Sequence, residues 1–277
     1  MAYTAPLEPA LASVLAPLSL GKLAHHYPVL LGSFLLWMLI SHASARYSPR
    51  LFPRSYLSLT PQKRHYWDVH VVSLVHSSIV VFGALRILLD DSLGRDRVFG
   101  YNEFAGNVYA FSCGYFLWDG IVSLMHVKEN GVGFVIHGFS CFAVYLFSFR
   151  PFLNYYGAVF LLFELSTPFL NFHWFMDKMN ITNTPLQLIN GITFLGTFFC
   201  ARLVFGYYMS YQTFVSVIAV IDQVPTFLCV LYGVSNIVLN ILNAFWFIKA
   251  INMLKRRFRR KGTSETKAKE RKLKKAL

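Results

Sequence analysis

Residues 104–125 read FAGNVYAFSCGYFLWDGIVSLM, and Asp119 is the one formally charged residue among them. A helix rises about 1.5 Å per residue, so a stretch of this length crosses the roughly 30 Å hydrocarbon core of a bilayer. The polar members are not scattered. Ser112, Tyr115, Asp119 and Ser123, with His126 just beyond, follow one another at intervals of three or four residues. That spacing lines one face of a helix. An acid on such a face is costly in lipid and turns toward other helices. The stretch therefore calls for an all-α, multi-pass transmembrane bundle.

Working outward, six further apolar runs have comparable length: Tyr27–Ala45, Val69–Leu89, Val132–Phe149, Tyr155–Phe172, Pro185–Tyr207 and Thr226–Ala250. Hydrophobic residues make up 55% of the chain and charged ones 14%, well under the roughly 25% usual for soluble domains. This excludes a soluble globule and a disordered chain. The run Phe214–Val224 is too short to span, and Pro225 follows it. It is expected to form a half-buried approach helix, leaving seven spans. Leu11–Ala24 contains Pro17 and has no basic residue before it. It is unlike a cleavable signal peptide, so the first span is expected to act as the signal.

The formal net charge is +13, and residues 255–277 supply +10 of it. A basic balance confined to a tail is not a nucleic-acid footprint, so no nucleic-acid partner is expected. Arg46, Arg50, Arg54, Lys63 and Arg64 crowd the loop after the first span. The next loop sets Arg95 and Arg97 against Asp90, Asp91, Asp96 and Glu103. Seven spans put loop 46–68 and the basic tail on one side, which the positive-inside rule makes cytosolic. The N-terminus is then lumenal, and the sequon Asn180-Ile181-Thr182 lies in a cytosolic loop, unglycosylated. Lys274 and Lys275, fourth and third from the end, match a cytosolic di-lysine signal for retrieval to the endoplasmic reticulum, read by coat machinery.

Other spans carry polar faces too. His70, Ser73 and Ser77 align in the second, with His76 beside them. His137, Cys141, Tyr145 and Ser148 align in the fourth. Glu164, Thr167 and Asn171 align in the fifth, where Pro168 marks a kink. Asn236, Asn240 and Asn243 form an amide stripe in the last. Such faces either glue helices together or line a polar cavity. The stripe of Asn residues reads as glue. His76, Tyr115, Asp119, His126, His137, Glu164 and Arg202 read as cavity residues. Arg202 either snorkels or pairs with Glu164 or Asp119. His25 and His26 read as interfacial. The cysteines Cys113, Cys141, Cys200 and Cys229 all fall in apolar runs and read as buried, with no spacing for a disulfide frame or a zinc site. No metal and no resident cofactor is expected.

Four motifs in order resemble the TLC domain. Trp67 leads to Ser73-Leu74-Val75-His76; Tyr115-Phe116-Leu117-Trp118-Asp119 is similar to its aromatic run ending in Asp; His137 stands early in the following helix; and Phe163-Glu164-Leu165-Ser166-Thr167-Pro168 is close to an acidic stretch of the branch outside the ceramide synthases. The resemblance implies a six-span domain over about 60–254, enclosing a lipid-accessible cavity in the endoplasmic reticulum. Residues 1–26 are then a lumenal segment, 27–59 the first span with its basic loop, and 255–277 the tail. The ceramide-synthase branch has a His-His pair. Here the first position is Ile136, and only His137 remains.

The expected function is binding, sensing or redistribution of a membrane lipid, in lipid homeostasis. One alternative is an N- or O-acyltransferase using acyl-CoA as co-substrate, with His137 as base and Asp119 orienting it. Another is a membrane chaperone or translocation accessory.

Overall fold

The computed structural model describes the backbone of residues 7–276 and the side chains of 8–253 and 255. The Lys274 and Lys275 side chains, and with them the di-lysine reading, lie outside the described residues. All regular structure among the described residues is helical. In chain order the helices are α1 (Leu7–Leu15), α2 (Leu23–Leu51), α3 (Pro53–Tyr56), α4 (Pro61–Leu88), α5 (Asp91–Arg95), α6 (Glu103–Met125), α7 (Val127–Asn130), α8 (Val132–Phe147), α9 (Asn154–Leu161), α10 (Thr167–Lys178), α11 (Pro185–Phe198), α12 (Gly206–Ile218) and α13 (Thr226–Ala276). A 3₁₀ segment, Leu162–Ser166, joins α9 to α10, and a π-helical segment, Phe199–Phe205, joins α11 to α12.

Among the described residues, five stretches are long and apolar enough to cross a membrane: Leu23–Leu51, Pro61–Leu88, Glu103–Met125, Pro185–Ile218 and Thr226–Met253. The apolar α8 has 16 residues, and α9 to α10 form one composite rod with an irregular middle. These are the seven runs read from the sequence, and the fold is an all-α multi-pass membrane bundle. The helices begin where caps and prolines allow, often ahead of the apolar run. Thr60 Oγ1 accepts from the Lys63 amide at 3.4 Å, Asn102 Oδ1 from Ala105 at 2.7 Å, and Thr184 Oγ1 from Gln187 at 3.2 Å. Pro61 and Pro185 sit in the first turn, where no amide is needed.

Two expectations change here. Phe214–Val224 is not a separate approach helix, because the π segment passes directly into α12 and the helix runs on to Ile218. The π segment carries a polar and aromatic stretch through an unbroken rod of 34 residues, which hydropathy alone splits. His26 is not interfacial: it is fully buried, hydrogen-bonded through Nδ1 to Asn107 Oδ1 at 2.9 Å and through Nε2 to the Tyr101 hydroxyl.

The core lies between α2, α4, α6 and α8. Trp37 is wholly buried, edge-on to His76, Phe111 and Tyr115 at 5.0–5.8 Å. Glycine lets helices approach closely. A Cβ on Gly138 would stand 2.7 Å from the Gly120 Cα, so α6 and α8 touch backbone to backbone. At one end, α2, α3 and α4 are clasped by Asp68. It accepts from Ser44 Oγ at 2.6 Å and from the Tyr56 hydroxyl at 3.1 Å, while the adjacent Trp67 Nε1 donates to Ser48 Oγ at 3.1 Å. Lipid meets the outer faces, where Leu35, Leu39, Phe82, Ile189 and Ile241 are exposed.

Candidate functional site

The Glu164-Leu165-Ser166-Thr167-Pro168 stretch cannot form an ordinary helix ladder. Pro168 has no amide hydrogen to give the Glu164 carbonyl, so the turn tightens and Thr167 N–H bonds that carbonyl instead. Across from it, the π segment pushes Arg202 inward. Arg202 is buried, and each of its three guanidinium nitrogens donates a hydrogen bond. Nε donates to the Phe163 carbonyl at 2.8 Å and to Ser166 Oγ at 3.2 Å. Nη1 donates to Asn243 Oδ1 and Nη2 to Thr167 Oγ1, both at 3.2 Å. Nη2 also lies 3.8 Å from Glu164 Oε1, and the group sits 4.9 Å over the Phe198 ring. Of the fates open to Arg202, the pair with Glu164 is the one realised. The two irregular segments thus hold each other through one cation.

Beside this pair lies a cavity of about 820 Å³, counting its open mouth. Phe116 from α6, His137 and Tyr145 from α8, Glu164, Arg202 and, on α13, Asn243 are among the residues that line it. His137 meets Cys141 Sγ through Nδ1 at 3.8 Å and stands edge-on to Trp246 at 5.3 Å. Tyr232 closes one seam by donating to the Val144 carbonyl at 3.0 Å.

Of the residues read as cavity residues, His137, Glu164 and Arg202 meet at the wall, and the others do not. His76 and Tyr115 stack on each other at 3.6 Å in the core. Asp119 lies against Gly138, behind the wall, within Coulombic reach of Glu164. Among the described residues no hydrogen bond joins Asp119 to His137. His126 is remote, its ring stacked at 3.9 Å on His65. Asn171 joins a separate group, accepting from His70 Nδ1 at 2.6 Å and donating to Ser73 Oγ at 3.1 Å. The Asn stripe divides. Asn240 donates to Asn236 Oδ1 and Ser210 Oγ, both at 2.9 Å, as helix glue, whereas Asn243 orients Arg202. Cys113 and Cys141 are buried, Cys229 is half-buried and Cys200 is exposed on the outer face.

Two participants escaped sequence reading, and a third was read in a different role. Asp68 sits where an apolar run begins, and its charge resembles that of any loop acid. Tyr156 lines the cavity while bonding Ser216 Oγ at 2.6 Å, a contact over 60 residues. Asn243 was visible, but its partnership with Arg202 needs the π segment, which composition does not mark.

A helical bundle with a polar pair set in the wall of a cavity among its spans defines a polytopic membrane protein with an internal site. The TLC-domain profile matches residues 66–252, and the chain belongs to the TLC-domain family. An uncharacterized TLC domain-containing protein of Schizosaccharomyces pombe is 40% identical over 238 residues, covering 86% of this chain and 82% of its own. Topoisomerase I damage affected protein 4 of Saccharomyces cerevisiae is 30% identical over 241 residues, 84% of this chain and 86% of its own. Human TLC domain-containing protein 4 is 30% identical over 227 residues, 78% and 84% respectively.

Proposed function

We propose that this protein binds a membrane lipid in the cavity beside Glu164 and Arg202 and acts in lipid homeostasis by sensing or redistributing it. The observation that carries this reading is a cavity within the spans with a mostly apolar lining and one buried, oriented ion pair in its wall. A lipid supplies both halves of that chemistry, chain and head. The acyltransferase reading, with acyl-CoA as co-substrate, asks for a His137–Asp119 pair, and the two side chains face different surroundings. For place we propose the endoplasmic reticulum membrane, with the N-terminus lumenal and the basic tail cytosolic, where its Lys274-Lys275 ending meets coat machinery. Membrane lipids are the proposed partners.

The test is lipid analysis of the purified chain. Wild type should retain a defined lipid class through detergent exchange. Leu239→Trp, which fills the cavity, should lose it. Equal retention by both would overturn the reading. Product formed from acyl-CoA by wild type and not by His137→Ala would install the acyltransferase in its place.

A further inference from the structure

The cavity is not chemically finished. Asn243 is 2% exposed, and its Oδ1 is taken by Arg202, but its Nδ2 has no hydrogen-bond partner among the described residues. Asn240 spends its amide nitrogen on Ser210 and Asn236, and its buried Oδ1 is likewise unpartnered. The Glu164 carboxylate faces Arg202 at 3.8 Å, beyond hydrogen-bond length, and accepts no hydrogen bond among the described residues. All three residues line the cavity. Buried polar atoms are nearly always paired, so three unsatisfied groups carried by residues that line one space describe what should fill it. The set consists of one donor and two acceptors.

Charge narrows the choice. Glu164 and Arg202 offset each other. A phosphate-bearing head would meet a guanidinium already serving Phe163, Ser166, Thr167 and Asn243, with one N–H left on each Nη, and it would do so against the repulsion of the Glu164 carboxylate that neutralises that cation. An alkylammonium head could satisfy Glu164 and Asn240 but has nothing to accept the Asn243 N–H. A hydroxyl both donates and accepts. We propose that the cavity takes an uncharged lipid with a hydroxyl-bearing head, its hydroxyls donating to Glu164 and Asn240 Oδ1 and accepting from Asn243 Nδ2. Its chain lies along Phe116, Val144, Phe160, Leu161 and Leu239. This inference rests on the reading that the cavity holds a lipid and names the class of its head.

The experiment uses the full chain in nanodiscs and three photo-crosslinkable probes with the same acyl or alkyl chain: a monoacylglycerol, a lysophosphatidate and a primary alkylamine. Adducts are mapped by peptide mass spectrometry. The monoacylglycerol should label the cavity peptides at least tenfold more efficiently than either charged probe. Asn243→Asp keeps the oxygen facing Arg202 and removes the donor, so it should cut that labelling about tenfold. Asn240→Leu, which removes an acceptor outside the Arg202 cluster, should cut it severalfold if Asn243→Asp fails to fold. Equal labelling by all probes, preference for a charged one, or indifference to both substitutions overturns the head-group assignment and leaves the lipid site standing. Failure of every probe to label the cavity, with Leu239→Trp changing nothing, overturns the lipid site itself.

Discussion

At the scale of single residues, Arg202 carries the most consequence. A buried pair that loses one partner leaves an uncompensated charge, a change worth about 3–5 kcal/mol. Arg202→Leu should lower thermal stability in detergent by that order. Glu164→Gln combined with Arg202→Leu should be less damaging than the two single effects added, a coupling that a double-mutant cycle measures. Asp68 behaves differently, because neutral donors hold it. Burial, and after it the neighbouring Asp68 carboxylate, pushes the Tyr56 phenol up to about 12 from its ordinary 10. A raised phenol pKa means that the folded state favours the neutral form. Its contribution is complete below pH 10 and is lost as pH climbs through 10 toward 12. The difference in stability between wild type and Tyr56→Phe should therefore shrink across that window. Glu164 and Arg202 were both visible as misplaced charges in apolar runs, and so drew notice. Asp68 was equally important to packing and invisible, since its position at the start of a run gives it the look of an ordinary loop acid.

At the scale of elements, ends and irregularities matter more than helix interiors. Asn102 caps α6 and also donates to Ser92 Oγ at 2.9 Å, tying the helix start to α5. Asn102→Ala should cost about 1 kcal/mol, read from the unfolding midpoint. Pro168→Ala restores the missing amide, so the 3₁₀ turn can relax toward an α-helix and draw the Phe163 carbonyl away from Arg202. The expected result is a folded protein with weakened lipid retention, distinguishable by circular dichroism beside lipid analysis. Helix existence was legible because lipid demands long apolar runs. The joints were only half legible. Proline announces the 3₁₀ turn, whereas no residue type announces a π segment, so α12 was divided from the span to which it belongs. The polar stripes were correct as faces but misleading as a map of one site. A helix face of four or five residues is longer than a cavity, and its members meet different neighbours along the bundle: Tyr115 meets His76, Asp119 meets Gly138, and His126 meets His65.

At the scale of the whole molecule, the proposed topology of seven crossings puts the two ends of the chain on opposite sides of the membrane. With the proposed orientation, a sequon engineered into residues 92–100 should be glycosylated, and Asn180, in the short connection between α10 and α11, should not. Modification at Asn180 alone would reverse the orientation. The bundle is also unevenly built. The Trp37 core, the Gly120–Gly138 seam and the Asp68 clasp stiffen α2, α4, α6 and α8. The cavity's other wall contains two departures from regular helix, a turn wound too tight opposite one wound too loose. Poorer ladder geometry gives each a lower threshold for local opening. The wall is therefore expected to yield more readily than the shell around it, with the Arg202 contacts as its one tie. A guest molecule could be admitted sideways from the bilayer by flexing residues 162–166 and 199–205 while the remaining helices keep their places, and backbone hydrogen exchange should be fastest, among the spans, in those two stretches.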